Sequence, residues 1–211
     1  MSTKDQTEGY VQNMWYSWNH GMAHFVQINT ETDFPSAPEH VYSGLFGANG
    51  QQVVWLEADL AAVDRTVTPW ASTNQHDSSP KDIFSDCTNC TACGNAFESL
   101  MVKYNVDVVW AGHVYYYERD TPIANGVPDP KGLNNLTGPW YLTSGAAGNV
   151  EGHSKPKSPL PSFVEYVNAT SFGWSKWNFH NSSHLTHQFF SSETNEVMDE
   201  ATLYKDHGLK W

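Results

Sequence analysis

The residues best placed to do chemistry stand together between Val106 and Asp120, in the run VDVVWAGHVYYYERD. Val106, Val108, Val109, Trp110 and Ala111 read as a buried strand, which gives way at once to Gly112 and His113. In open α/β sheets the binding crevice lies beyond the carboxyl ends of the strands, so a side chain delivered just past such a strand can reach a ligand. Gly112 is expected to let the backbone turn there. An imidazole at His113 could bind a metal or move a proton; it could equally be a structural residue satisfied by a backbone carbonyl.

Two further clusters carry metal-ligand residue types. Cys87, Cys90 and Cys93 form a C-x-x-C-x-x-C run, which suits zinc or an iron-sulfur cluster only if a fourth ligand exists, and the chain has no fourth cysteine. A disulfide with one cysteine left over is the reading preferred for an oxidising compartment. His180, His184 and His187 are close in sequence, but strand alternation sends His184 and His187 to opposite faces, so surface histidines are expected.

The elements that must position these residues follow from periodicity. Trp15 to Trp18 and Ala23 to Ile28 read as two strands joined by a tight turn at Asn19-His20-Gly21. Phe34 to Gly50 is rich in turn residues and reads as a loop. Val53, Leu56, Leu60 and Val63 recur at helical spacing and predict an amphipathic helix. Ser78 to Gly94 reads as a surface excursion. Asn95 is expected to cap a second helix, with Phe97, Leu100, Met101 and Tyr104 on its buried face. Trp140 to Thr143 predicts a strand that runs into the glycine-rich Gly145 to Asn149. A meander of three strands is expected near Phe172–His180, His184–Phe190 and Val197–Tyr204. Strands alternating with helices imply an α/β sheet.

Composition excludes some partners. The 211 residues carry a net charge of -12, the wrong sign for a nucleic-acid backbone or an anionic membrane surface. No apolar run approaches the ~20 residues of a membrane span. Four sequons, at Asn89, Asn135, Asn168 and Asn181, lie in polar surroundings suited to glycosylation and point to a secreted protein. The first ten residues lack the apolar core of a signal peptide, which suggests a fragment or a mature product.

The Val106–Asp120 run resembles the purple acid phosphatases, a branch of the calcineurin-like metallophosphoesterases. That family carries Gly-His-Val-His and then Ala-Tyr-Glu-Arg at the end of such a strand, and both histidines bind metal. His113 matches the first; Tyr117, Glu118 and Arg119 match the Tyr-Glu-Arg; Tyr115 stands where the second histidine is expected. Trp15 to Phe34, Trp55 to Trp70 and Asn95 to Gly126 resemble the family too. After Thr-Pro-Trp the family has an apolar strand ending in a metal-binding histidine. Counting on from Trp70 lands on His76, although the strand before it, Ala71 to Gln75, is unusually polar. His20 and His24 match no ligand position and read as surface or structural residues.

The resemblance implies the fold: α/β, part of a metallophosphoesterase β-sandwich flanked by helices and ending in an antiparallel meander. The carboxy-terminal part of the catalytic domain would span residues 10–126 and the family's carboxy-terminal region residues 138–207. It implies a metal-dependent acid phosphatase acting on phosphate monoesters through a dinuclear centre of iron with zinc, manganese or iron. His76, His113 and Tyr115 are the metal-ligand candidates that follow. The family's Asp-x-Gly, Gly-Asp-x-x-Tyr and Gly-Asn-His-Glu/Asp motifs are absent from the sequence. The chain therefore reads as a carboxy-terminal portion with an incomplete centre, expected to associate with a missing amino-terminal half or with itself. The rival is a secreted glycoprotein that keeps the fold without the metal site.

Overall fold

The chain enters the fold through a hairpin. Strands β1 (Tyr16–His20) and β2 (Ala23–Gln27) pair antiparallel across a tight turn, where Gly21 takes φ 55°, a left-handed value that glycine reaches without strain. The structure, a computed structural model, describes residues 15–30, 51–75 and 91–208. The loop expected from Phe34 to Gly50 and most of the Ser78 to Gly94 excursion lie outside them.

Helix α1 (Gln51–Ala61) buries Leu56 and Leu60 as its periodicity predicts, whereas Val63 falls beyond its last turn. Strand β3 (Trp70–Gln75) follows, and then helix α2 (Thr91–Lys103). That second helix begins four residues before the expected cap at Asn95, so Cys93 belongs to a helix and not to a surface excursion. Next come β4 (Val108–Ala111), β5 (Tyr117–Asp120), a small hairpin of β6 (Ile123–Ala124) and β7 (Val127–Pro128), then β8 (Trp140–Ser144) and β9 (Val164–Asn168). The chain closes with the meander β10 (Gly173–Phe179), β11 (His184–Ser191) and β12 (Val197–Tyr204).

Seven strands form one sheet in the order β1-β2-β3-β4-β8-β5-β9, with β2, β3, β4 and β8 mutually parallel. Alternation divides its side chains between two cores. On one face Val26, Val109 and Tyr141 meet Leu56 and Leu60 of α1 and Phe97, Leu100 and Met101 of α2. On the other, Val108, Trp140 and Leu142 meet Leu185, Phe189 and Leu203 of the meander. A mixed sheet with helices on one face and an antiparallel meander on the other is the expected architecture. Among the described residues, no helix is long and apolar enough to cross a membrane.

The polar strand β3 is central despite its composition. Thr73 is fully buried, and its hydroxyl donates to Met101 Sδ at 3.4 Å, so the helix behind the strand supplies the missing partner. The fully buried Asp107 accepts from Arg65 Nη1 at 2.9 Å and from the Ala71 amide at 2.8 Å, and it pairs with Lys205 and His207, which follow β12. Burial opposes its charge, but His207, Lys205 and Arg65 outweigh burial and hold its pKa below the ordinary value. This junction ties the segment after β12 to the start of β4.

Candidate functional site

The turn from Gly112 to Tyr116 leaves the sheet at the carboxyl end of β4, as the sequence predicts. It turns differently from the expectation. His113 takes the positive φ, 65°, while Gly112 is not in the left-handed region. Histidine tolerates that conformation better than branched residues do. Two tight hydrogen bonds fold the turn, from the Val114 amide to the Gly112 carbonyl and from the Tyr116 amide to the Val114 carbonyl, each 2.8 Å. Gly145, at the end of β8, lies directly against it, because a Cβ there would collide with the Val114 carbonyl oxygen. The glycine-rich segment therefore lets two backbones meet beside His113.

His113 and Tyr115 are both half-buried on this turn. The Glu151 carboxylate lies beside the Tyr115 hydroxyl and accepts a hydrogen bond from it, which raises the phenol pKa above its ordinary value. Tyr115 is thereby kept a proton donor. Its backbone is held by Ser154, whose hydroxyl accepts from the Tyr115 amide at 3.2 Å, and by His153 Nδ1, which donates to the Tyr115 carbonyl at 3.1 Å. A carbonyl only accepts, so Nδ1 of His153 carries a proton. His153 also stacks on Phe172 with centroids 4.3 Å apart. Sequence reasoning missed Glu151 and His153, for their spacing from Tyr115 gives no signal; the fold brings the two segments together.

His76, the partner expected for His113, lies outside the described residues, although β3 ends at Gln75 in register with Ala111 of β4. Among the described residues, no three His, Cys, Asp or Glu side chains group so as to hold a metal ion. His113 and Tyr115, with the phenol paired to Glu151, do not by themselves fit a dinuclear centre. Cys87, Cys90 and Asn89 also lie outside the described residues. The other sequon asparagines are in turns or at strand ends: Asn181 is exposed, while Asn135 and Asn168 are half-buried. Asn181 Oδ1 accepts from the Ser183 amide and hydroxyl, and Asn168 Oδ1 accepts from the Thr170 amide and hydroxyl.

The Tyr-Glu-Arg run divides by alternation. Tyr117 and Arg119 face the meander and grip Asp199: the Tyr117 hydroxyl donates at 2.7 Å, and Arg119 donates through Nε at 2.7 Å and Nη2 at 3.0 Å. Burial opposes the Asp199 charge, but these bonds hold its pKa low. His187 stacks against Tyr117 and is fully buried, which corrects its expected surface position; the face opposite His184 is the core. Its Nδ1 lies 3.3 Å from the Tyr117 hydroxyl, while Nε2 has no partner. Burial lowers its pKa to about 4, against the pull of Asp199. Glu118 and Asp120 point to the opposite face. Burial raises Glu118 to about 7, offset in part by Lys157, and raises Asp120 well above its ordinary value, with Glu118 adding to the effect.

Among the described residues, a cavity of about 530 Å³ lined by Met22, Val67, Pro69 and His180 to Ser183 opens at the other end of the sheet, where β2 and β3 begin. It belongs to none of these groups.

Comparison with known proteins resolves the family. Residues 138–200 match the family model described as iron/zinc purple acid phosphatase-like protein C. Acid phosphatase A of Cryphonectria parasitica is 42% identical over 200 residues, covering 92% of this chain and 39% of its own length. The chain is kin to the carboxy-terminal part of the purple acid phosphatases. The Fe(3+)-Zn(2+) purple acid phosphatase 12 of Arabidopsis thaliana is 29% identical over 202 residues, covering 92% of this chain and 39% of its own. The purple acid phosphatase PPD1 from yellow lupin seeds superposes with a TM-score of 0.73 at 25% identity, over 91% of this chain and 33% of the lupin chain. This chain thus spans well under half the length of the relatives it matches.

Proposed function

We propose that this chain is the carboxy-terminal portion of a secreted, glycosylated acid phosphatase that hydrolyses phosphate monoesters at a dinuclear centre of iron with zinc, manganese or iron. The observation that carries the reading is the 42% identity to an acid phosphatase across nearly the whole chain. In this reading His113 and His76 give imidazole nitrogens to one metal, and Tyr115 stands at the second. A completed centre would supply Lewis-acid activation of the phosphate ester. The carboxylate ligands for that pair come from polypeptide that the relatives have before the matched region.

The reading is tested with an aryl phosphate at acidic pH. The isolated chain, supplied with zinc, manganese or ferric and ferrous iron, should turn over poorly. A single polypeptide in which the preceding portion of the Cryphonectria relative is joined to this chain should be an active phosphatase. An inactive, well-folded fusion would overturn the reading.

The rival, a non-catalytic glycoprotein, draws on the Tyr115–Glu151 pair, since a phenol held protonated is a poor metal ligand. If the rival holds, Tyr115→His in the fusion leaves it as inactive as the parent fusion.

A further inference from the structure

The segment that follows β12 is fastened to the start of β4 by a histidine. The His207 side chain is 6% exposed, and both of its ring nitrogens face acceptors: Nδ1 lies 2.7 Å from the Ser182 carbonyl oxygen and Nε2 lies 3.2 Å from Asp107 Oδ1. A carbonyl oxygen has no proton to give. Asp107 has none either, since its burial is outweighed by the cations around it, which keep it a carboxylate. Each neutral tautomer of His207 would turn a lone pair onto one of these two oxygens. Both contacts are hydrogen bonds only when the ring is an imidazolium.

The groups around the ring come from four parts of the chain. Asp107 precedes β4, and Arg65, between α1 and β3, donates to its Oδ2 whichever form His207 takes. From the histidine's own segment, Lys205 Nζ lies 3.3 Å from Asp107 Oδ1, while the Asp206 carboxylate accepts from the Gly208 amide. The Trp70 ring of β3 stands edge-on to His207 with centroids 4.7 Å apart. Its indole Nε1 donates to the Asn181 carbonyl at 2.8 Å, next to the Ser182 carbonyl that His207 holds. In the same turn His180 bonds to Thr186 Oγ1 and His184 to Ser183 Oγ, so neither replaces His207 at Asp107. His180 to Ser183 also form a wall of the cavity described above.

We infer that His207 is a protonation latch, which as an imidazolium ties the Asp206–Gly208 segment and the Asn181–Ser183 turn to Asp107 and as a neutral ring releases both. The inference does not depend on the phosphatase reading. Its sign follows from the two bonds: the fastening is present in acid and is lost as pH rises through the range in which an imidazole ordinarily titrates, near ~6.5. The release is local. Arg65 still partners the buried carboxylate, the Lys205 amide still donates to the Ser183 carbonyl, and Leu185, Phe189 and Leu203 keep the meander on the sheet. What changes is the turn that walls the cavity, so the cavity is closed on that side in acid and loosened at higher pH.

The test is nuclear magnetic resonance of the full chain with nitrogen-15 in its histidine and tryptophan rings and its amides. At about pH 5 both ring nitrogens of His207, assigned through contact with the Trp70 ring, should carry protons, and at about pH 8 only one should. Hydrogen exchange, expressed as protection relative to an unstructured chain at the same pH, supplies the second readout. Between those pH values the protection of the Asp206 amide, which donates to Asn135 Oδ1, and of the Trp70 indole N–H should fall about tenfold or more, while the amides of β4 and β8 keep theirs. In His207→Gln, whose side chain does not titrate, protection at these two positions should be the same at both pH values. A His207 ring with one proton at about pH 5 would overturn the inference. So would protection that does not fall in the parent, that falls equally in His207→Gln, or that falls in β4 and β8 as well. The ring and parent measurements need no variant, so they decide the matter even if His207→Gln fails to fold.

Discussion

Replacing Glu118 with glutamine is the change whose sign the structure fixes most closely. Glu118 is 2% exposed, Oε1 has no hydrogen-bond partner, and its pKa rises from 4.5 to about 7. A carboxyl raised in the fold contributes stability that is present below pH 4.5 and is lost as pH climbs through about 7. That interval is worth about 3 kcal/mol at ~1.4 kcal/mol per pH unit. Asp120 is raised beside it and takes up part of the charge that Glu118 gives away, so the difference between glutamine variant and parent should be about 1–3 kcal/mol. His187 works in the opposite sense. Lowered from 6.5 to about 4, it contributes stability that is present above 6.5 and is lost as pH falls. The two offset each other between 4.5 and 6.5 in the parent, and Glu118→Gln removes one of them. The assay is urea unfolding followed by tryptophan fluorescence and circular dichroism. Variant and parent should be nearly equal at about pH 5, with the variant ahead by about 1–3 kcal/mol at about pH 8. A difference that does not change with pH, or one that turns against the variant as pH rises, would refute the reasoning.

Three further changes probe other parts of the molecule. Asp199→Ala leaves the Arg119 guanidinium, only 15% exposed, without its partner and should cost about 3–5 kcal/mol in unfolding free energy, while Tyr117→Phe, which removes one hydrogen bond to the same carboxylate, should cost about 1–2 kcal/mol. Gly145→Ala forces a methyl group into the Val114 carbonyl, so the 112–116 turn must shift; about 1–3 kcal/mol of stability should go with it, read by thermal unfolding and by movement of the His113 ring resonances. Expressed through a secretory route, the chain should lose mass on enzymatic deglycosylation, with Asn181 the most exposed of the described sequons. An unchanged mass removes the argument for secretion.

The elements with strong periodicity were legible in the sequence. The hairpin at Gly21, the Leu56–Leu60 helix face and the meander fall where alternation or helical spacing puts them, and β4 and β8 where an apolar run buried on both faces marks a central strand. Where burial depends on partners far along the chain, the pattern gives no guide. Strand β5 is hidden inside YERD, since it buries charges on both faces and the partner of Arg119, Asp199, lies eighty residues on. His187 read as a surface residue for the same reason. The second helix starts at Thr91, through a cysteine and a glycine that carry no helical signal. At the candidate site, His113 and Tyr115 were visible by position and resemblance. Glu151 and His153 became neighbours only through the fold. His76 stays an expectation from spacing, outside the described residues.

The central claim is that this chain brings metal-binding histidines to a centre completed by the polypeptide that precedes it in its relatives. The direct measurement is elemental analysis of the purified single-chain fusion beside its His113→Ala and His76→Ala variants, each checked for unchanged circular dichroism. The account predicts about two metal ions per polypeptide in the parent and the loss of about one in each variant. Variants that keep the parent's full metal content would contradict it.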